Sequence, residues 1–270
     1  MSMRQPALFI GHGSPMTMIT DNPERHALAR LGKALAGAPG LPRAVLCISA
    51  HWETRGQIHI TAPGHPDTIH DFRGFPQELS DWRYPAPSPA WLVDRVAGLL
   101  GRDRVRPDAG WGYDHGTWGV IDLLFPGEYL PTVAMSLDRG LSAAGHLALG
   151  RELALLRDEG VMIVGSGNVV HNIALYGRTT GTVPDWADSF RSRITAAITA
   201  GDEAALTRFA ADDEEALKAI NSAEHYLPLL YAVGASLPGD AIGVFNDSVD
   251  GSLSMTSYLF GEPDALRAHG

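Results

Sequence analysis

Cysteine is nearly absent: the 270-residue chain carries one, Cys47. A single thiol excludes an internal disulfide framework and fits a reducing, cytoplasmic setting. Because Cys47 lies within the apolar run VLCIS, it reads as a small buried hydrophobe rather than a nucleophile. Long apolar runs are missing too. None approaches the ~20 residues a membrane helix needs, so no membrane partner is expected. The N-terminal stretch MSMRQPALFIGHG has one arginine and a short apolar run ending at a glycine, a poor fit to a signal peptide. Positive charge is scarce: 21 Lys plus Arg against 31 Asp plus Glu leave a net charge of −10. That balance argues against a nucleic-acid partner, which needs concentrated cations to neutralise phosphates. No Ser/Gly-rich linker and no internal repeat interrupts the chain, so residues 1–270 read as one domain.

A hydrophobic fraction of 45% can supply a sizeable core. Apolar, β-prone runs predict strands at Ala7–Ile10, Ala44–Ser49, Gln57–Thr61, Thr132–Met135, Val161–Val164 and Ala241–Phe245, with a last candidate at Ser254–Phe260. Helical periodicity between them predicts Arg25–Ala36, Pro89–Leu100, Thr117–Phe125, Ser142–Arg157, Ser189–Ala200, Glu203–Ala210, Glu214–Ile220 and Ala223–Gly234. Strands alternating with helices indicate an α/β/α sandwich around a central, mostly parallel or mixed sheet. Residues 62–89 break the pattern. They hold six prolines and several aromatics without periodicity, as a lid, a binding loop or an interface arm would.

What the chain has in quantity is imidazole: eleven histidines. Two of them end apolar runs in matching contexts, His12 after ALFIG and His51 after VLCISA. Ligands of open α/β sheets bind beyond the carboxyl ends of the strands. If both runs are parallel strands, both imidazoles emerge at one edge, where a pair suits a divalent first-row metal. His171 follows a third such run, in VGSGNVVHN. His115 lies in the glycine- and aromatic-rich GWGYDHGTWGV ahead of a helix, where Asp114 would either orient a neighbouring imidazole or cap the helix. In SAEHYLPLL, Glu224 and His225 are adjacent in a first helical turn, so at most one faces a given metal. His26 and His146 read as surface helix positions, His59 as facing away from the core, and His269 as tail.

In order along the chain, GHGSPM, SAHWET, TIHDFRGFP, YPAP, YDHGTWGVI, GSGNVVHN and EHYLPLLYA resemble the class III extradiol ring-cleavage dioxygenases, in particular the 4,5-DOPA extradiol dioxygenase branch. The resemblance implies a single catalytic α/β/α domain and a mononuclear metal held by imidazoles. It implies His12, His51 and His225 as ligands, with Glu224 as the rival third ligand that would complete a two-His-one-carboxylate triad. His115 and His171 match the acid–base histidines, and His171 is also a candidate fourth ligand. Fe(II) is the expected working metal because Zn(II) has no redox chemistry, although Zn(II) binds such sites more tightly and could occupy a purified sample. A catechol-type substrate and O2 are the implied partners, opened to a muconate semialdehyde; whether the enzyme is a homo-oligomer is left open. His70, Phe72, Phe75, Trp118 and Tyr226 are candidates for the ring pocket, because aromatic walls suit a flat apolar substrate. A zinc hydrolase on the same histidines, or a non-catalytic binding protein on the same fold, are the alternatives.

Overall fold

A computed structural model describes residues 4–209 and 213–261; the expectations for His269 and for the end of the Glu203–Ala210 helix lie outside them. The strands are β1 (Ala7–Gly11), β2 (Ala44–Thr54), β3 (Ile58–Thr61), β4 (Val105–Asp108), β5 (Thr132–Asp138), β6 (Val161–Gly167), β7 (Ala241–Phe245), the short pair β8 (Val249–Asp250) and β9 (Leu253–Ser254), and β10 (Ser257–Gly261). Eight form one sheet in the order β4-β3-β5-β2-β6-β1-β10-β7. The centre is parallel: β6 pairs in parallel with both β1 and β2, and β2 with β5. Antiparallel pairings of β10 with β1 and β7, and of β3 with β5, make the sheet mixed.

Successive side chains of a strand point to opposite faces, and both faces of the central strands are covered. Ala7 and Phe9, Leu46 and Ile48, and Val161 and Ile163 pack into one core. That core also takes in α3 (Ala90–Leu100), α5 (Ala143–Leu153), α7 (Asp185–Ala200) and α10 (Leu227–Gly234). Leu8 and Ile10, Val45 and Cys47, and Met162 and Val164 pack into the other, with α1 (Pro23–Leu35) and α4 (His115–Leu124). The layers are therefore helix, sheet, helix. Burial on both faces is why these strands are continuous apolar runs rather than alternating ones. Cys47 is a buried free thiol.

Several boundaries shift for physical reasons. The Ser142–Arg157 helix ends as α at Leu153 and tightens into a 3-10 turn over Ala154–Glu159, closed by Gly160 at φ 82°. The Ala223–Gly234 helix is split: a 3-10 turn at Ala223–His225 precedes α10, with Pro228 in the first turn of α10, where its missing N–H is harmless. β4 went unforeseen because its four residues, VRPD, carry an arginine and a proline. Residues 62–89 contain the short helix α2 (Gln77–Asp81) and bury Leu79, Tyr84 and Ala86 against the second core. They are a packed wall, not a detached arm.

His146 corrects the surface assignment. It is fully buried on α5, its Nδ1 3.0 Å from the Tyr231 hydroxyl. Burial lowers its pKa from 6.5 to about 4, so the fold favours neutral imidazole. Its contribution is complete above pH 6.5 and drains away as pH falls toward 4, because the unfolded chain then binds a proton that the native state refuses. The stability gap between wild type and His146→Gln should therefore shift by about 2 kcal/mol against wild type between pH 7 and pH 5, measured by urea unfolding. Arg157, also fully buried, donates to the carbonyls of Gln5, Ala235 and Phe260 and to both oxygens of Asp240, tying β1 and β10 to the end of α10. Arg157→Leu strands a buried carboxylate and three carbonyls, and should cost about 3–5 kcal/mol in the same assay.

Candidate metal centre

β1, β2 and β6 run parallel, so their carboxyl ends share one edge of the sheet. His12 follows β1 there, its N–H donating to Gly167 O of β6 at 3.0 Å. His51 lies in the last part of β2, where the register against β5 slips: Ile48 pairs with Met135, yet Glu53 pairs with Leu137. The extra chain of this bulge re-aims His51 over the sheet edge, a common device beside functional sites. His225 arrives from the opposite direction, in the turn before α10. That turn lies directly on β6. A Cβ at Gly165 would sit 2.2 Å from Pro228 O and one at Gly167 only 2.1 Å from His225 O, so only glycine admits the approach. Asn168, buried, locks the seam. Its N–H donates to His225 O, and its Nδ2 to the carbonyls of His12 and Ser254, each within 2.9 Å.

The outcome is a knot of imidazoles. Ring nitrogens of His12, His51 and His225 lie within 4.8 Å of one another, and the Nε2 atoms of His51 and His225 are 3.3 Å apart. In each ring the other nitrogen is anchored. His12 Nδ1 is 2.9 Å from Ser166 Oγ, and His225 Nδ1 is 3.0 Å from Glu224 Oε1. His51 Nδ1 lies 2.7 Å from Asp71 Oδ2, close enough for an ion pair but off the axis of a directed hydrogen bond. Glu224 thus faces the back of His225 rather than the gap between the three rings. Two further groups of potential ligand atoms share members with this one: His51, Asp71 and His115, and His171, Glu224 and His225.

His115 is the first residue of α4, not part of a loop ahead of it. Asp114 is the N-cap, accepting from Thr117 N–H and from Ser49 Oγ at 2.6 Å, which fastens α4 to β2. The His115 ring lies 4.2 Å from that of His51, and its Nδ1 and backbone N–H both meet Asp71 Oδ1, at 2.8 and 3.1 Å. His171, beyond β6, stacks on His225 with ring centres 3.4 Å apart and planes 9° from parallel. No side-chain hydrogen bond ties either His171 ring nitrogen among the described residues.

Electrostatics follow the crowding. Burial and the four neighbouring imidazoles hold His12 well below its ordinary pKa. His171 is lowered to about 3, first by burial and then by His225. His225 and His115 are also lowered, chiefly by burial, against the opposing pull of Glu224 and Asp71. For His51, burial is outweighed by Asp71 and the more distant carboxylates, so its pKa rises. Burial pushes Asp71 upward, yet the His115 and His51 imidazoles facing its two oxygens hold it far below the carboxylate range. Glu224 is held at about 2: burial raises it, and His225 more than compensates.

This chemistry opens into a cavity of about 910 Å3 lined by His12, His51, His115, His171 and His225, with Phe72 and Phe75 among its other walls. Three pocket candidates are corrected. Tyr226 is fully buried on the far side, its hydroxyl donating to Leu206 O and its ring against Phe209. Trp118 is also fully buried, with Nε1 donating to Ile69 O. His70 turns away to Trp82 O at 3.1 Å. His70 and Trp118 pack against Phe72 and hold the wall from behind, whereas Tyr226 belongs to the opposite core. Asp71 was overlooked in TIHDFRGFP, where an exposed-loop aspartate carries no periodic signal.

The family model for the catalytic LigB subunit of aromatic ring-opening dioxygenase matches residues 6–253. The chain belongs to this family. Members of this family are metal-dependent aromatic ring-opening dioxygenases. The chain is 42% identical to a 4,5-DOPA dioxygenase extradiol of Escherichia coli, over 96% of both proteins. It is 35% identical to a 4,5-DOPA dioxygenase extradiol of Beta vulgaris, over 93% of this chain and 95% of the other. A crystal structure of an uncharacterized Escherichia coli K12 protein superposes with a TM-score of 0.79 at 38% identity, covering 96% of this chain and all of that one.

Within this LigB-family site, Asp71→Asn keeps volume but removes the charge that two imidazoles share. Ring-opening turnover should fall roughly 100-fold or more, with a melting temperature near that of wild type. Steady-state oxygen uptake together with thermal unfolding checks both halves.

Proposed function

We propose that this dioxygenase opens the ring of a catechol-type substrate, DOPA-like or a related catechol, to a muconate semialdehyde, using Fe(II) held by His12, His51 and His225. The observation that carries the reading is the trio of ring nitrogens within 4.8 Å, each with its second nitrogen backed by Ser166, Asp71 or Glu224. Metal-bound imidazoles are oriented in this way by an outer partner. The donor set fits an ion: buried bases crowded against one another gain a shared cation in place of facing lone pairs. In this reading His225 is the third ligand and Glu224 its orienting carboxylate. Bound Fe(II) supplies the one-electron chemistry that lets a closed-shell catechol react with triplet dioxygen, whereas Zn(II) offers none.

The remaining work falls to the chain itself. His171 lines the cavity, and among the described residues no side-chain hydrogen bond ties its ring nitrogens, so it suits the role of the base that takes a catechol hydroxyl proton and later returns it. Its stacking on His225 holds it beside the three imidazoles proposed as ligands. His115, braced by Asp71, presents its other nitrogen to the cavity as a donor to substrate oxygen. Phe72 and Phe75 wall off water on the apolar side of the ring. The overall reaction balances as one catechol plus one O2, with one ring carbon–carbon bond broken and both oxygen atoms retained. The single free thiol, buried Cys47, suits a cytoplasmic enzyme.

Metal-stripped protein reconstituted anaerobically with Fe(II) should consume one O2 per catechol and form a yellow product, while zinc-loaded protein should consume none. Turnover of a substrate without oxygen would instead mark a hydrolase, and failure of every catechol in a broad panel to elicit oxygen uptake would overturn the reading. His12→Ala, His51→Ala and His225→Ala should each lose metal in equilibrium dialysis. Glu224→Gln should retain it with affinity weakened about 10–100-fold. Loss of metal from the Glu224 variant alone, with His225→Ala still loaded, would transfer the ligand role to Glu224.

A further inference from the structure

A smaller space adjoins the large cavity at His12 and His115, which line both. Their rings, 5.6 Å apart between centres, stand at the junction. The polar side chains around the smaller space, those of His12, Ser14, Thr17 and His115, all belong to the rim it shares with the cavity. The walls it does not share are Gly11 of β1, Met18 of the 3-10 turn Pro15–Met18, Leu28 of α1, and Gly119, Val120 and Leu123 of α4. None of these carries a polar side chain, and Met18, Leu28, Val120 and Leu123 are at most 8% exposed. The chamber leaves about 20 Å3 open to the centre of a water-sized molecule. That is room for about one such molecule and far too little for an aromatic ring. A buried water needs about two to four polar partners, which these walls do not offer, whereas dry apolar cavities take up small apolar species such as xenon.

α4 keeps this chamber open with a glycine that packing does not require. Gly116, three residues earlier, has no room for a side chain: a Cβ there would stand 2.8 Å from Ser49 Oγ. At Gly119 a Cβ would meet only Met18, its Sδ at 3.4 Å and its Cγ at 3.8 Å, an ordinary contact with a flexible side chain. Glycine in a helix interior costs stability relative to alanine, so open space is what this position supplies. We infer that the chamber walled by Met18, Leu28, Gly119 and Val120 holds dioxygen and delivers it to the site at His12 and His115. The inference rests on the ring-opening reading for the use of the gas and adds the place where it waits. Dioxygen is small and apolar, so it gains by leaving water for such walls, and holding it beside the reacting centre turns a chance encounter into a short transfer. A catechol in the large cavity is too big to enter, so the two reactants do not compete for one space.

Crystals of the zinc-loaded protein pressurised with xenon test occupancy without turnover. Wild type should bind xenon against Met18, Leu28 and Val120; Gly119→Ala should lower its occupancy and Gly119→Val should abolish it. Kinetics of the Fe(II) enzyme give the second readout. At saturating catechol, kcat/KM for O2 should fall roughly fourfold in Gly119→Ala, the worth of about one methylene of apolar space, and further in Gly119→Val. In oxygen-saturated buffer, kcat/KM for the catechol should fall less in each variant. An unfolding temperature of Gly119→Ala at or above that of wild type shows that the helix is kept. An ordered water in the chamber and no xenon, xenon bound only elsewhere, or equal losses for O2 and catechol would overturn the inference. Xenon displaced in both variants while the O2 kinetics stay unmoved would do the same. Oxygen uptake without xenon binding fells the chamber alone. Xenon binding with no uptake for any catechol fells the ring-opening reading, and the delivery role falls with it.

Discussion

Three parallel strands ending at one edge are the constraint on which everything else rests. β1, β6 and β2 hydrogen-bond side by side in the same direction, so residues far apart in sequence leave the sheet within one ring's reach of each other. Position alone would not hold them there. Neutral imidazoles have no reason to cluster, and any that protonate repel one another, which is why burial and mutual proximity depress His12, His225, His115 and His171 together. The cluster persists because each ring is fixed from behind and because the backbone leaves no slack. Ser166, Glu224 and Asp71 do the first; Gly165, Gly167 and Asn168 do the second.

Asp71 links parts of the protein that the sheet does not. It comes from the proline-rich stretch, touches His51 of β2 with one oxygen and His115 of α4 with the other, and its side chain is only 18% exposed. The irregular wall of residues 62–89 is thereby coupled to the edge of the sheet by charge as well as by packing. The aromatics expected to line the pocket explain the other half of that wall. Trp118 and His70 spend their polar atoms on backbone carbonyls of the same stretch, Ile69 and Trp82, so that Phe72 and Phe75 can face the cavity. A buried indole or imidazole without such a partner would cost more than its packing returns.

Much of this was legible in the chain. Central strands buried on both faces announce themselves as apolar runs, and His12, His51 and His171 could be placed at their carboxyl ends without coordinates. The layered fold follows from the same alternation. What stayed hidden has two physical sources. Partners supplied from irregular chain, Asp71 above all, have no period to betray them. Side-chain direction is the second: Tyr226 follows His225 immediately, yet a turn's rotation sends one ring to the cavity and the other into the core against Phe209. His146 failed for a related reason, because α5 is packed between α10 and α3, which buries a position that amphipathic spacing assigns to water.

Adjacency in sequence does not choose between Glu224 and His225, but the turn that carries them puts the two side chains in different places. Neighbours in a tight turn diverge, so one side chain enters the cluster and the other does not. Here the carboxylate also takes Ser222 Oγ and lies against His225 Nδ1, leaving His225 Nε2 directed at His51 Nε2. A carboxylate pulled down to about 2 by that imidazole is already committed to it. To ligate an ion among the three rings it would have to abandon both partners, and His225 would lose the contact that fixes its tautomer. In the proposed reading the two residues act as one unit: the imidazole supplies the donor atom, and the glutamate supplies the basicity and the aim.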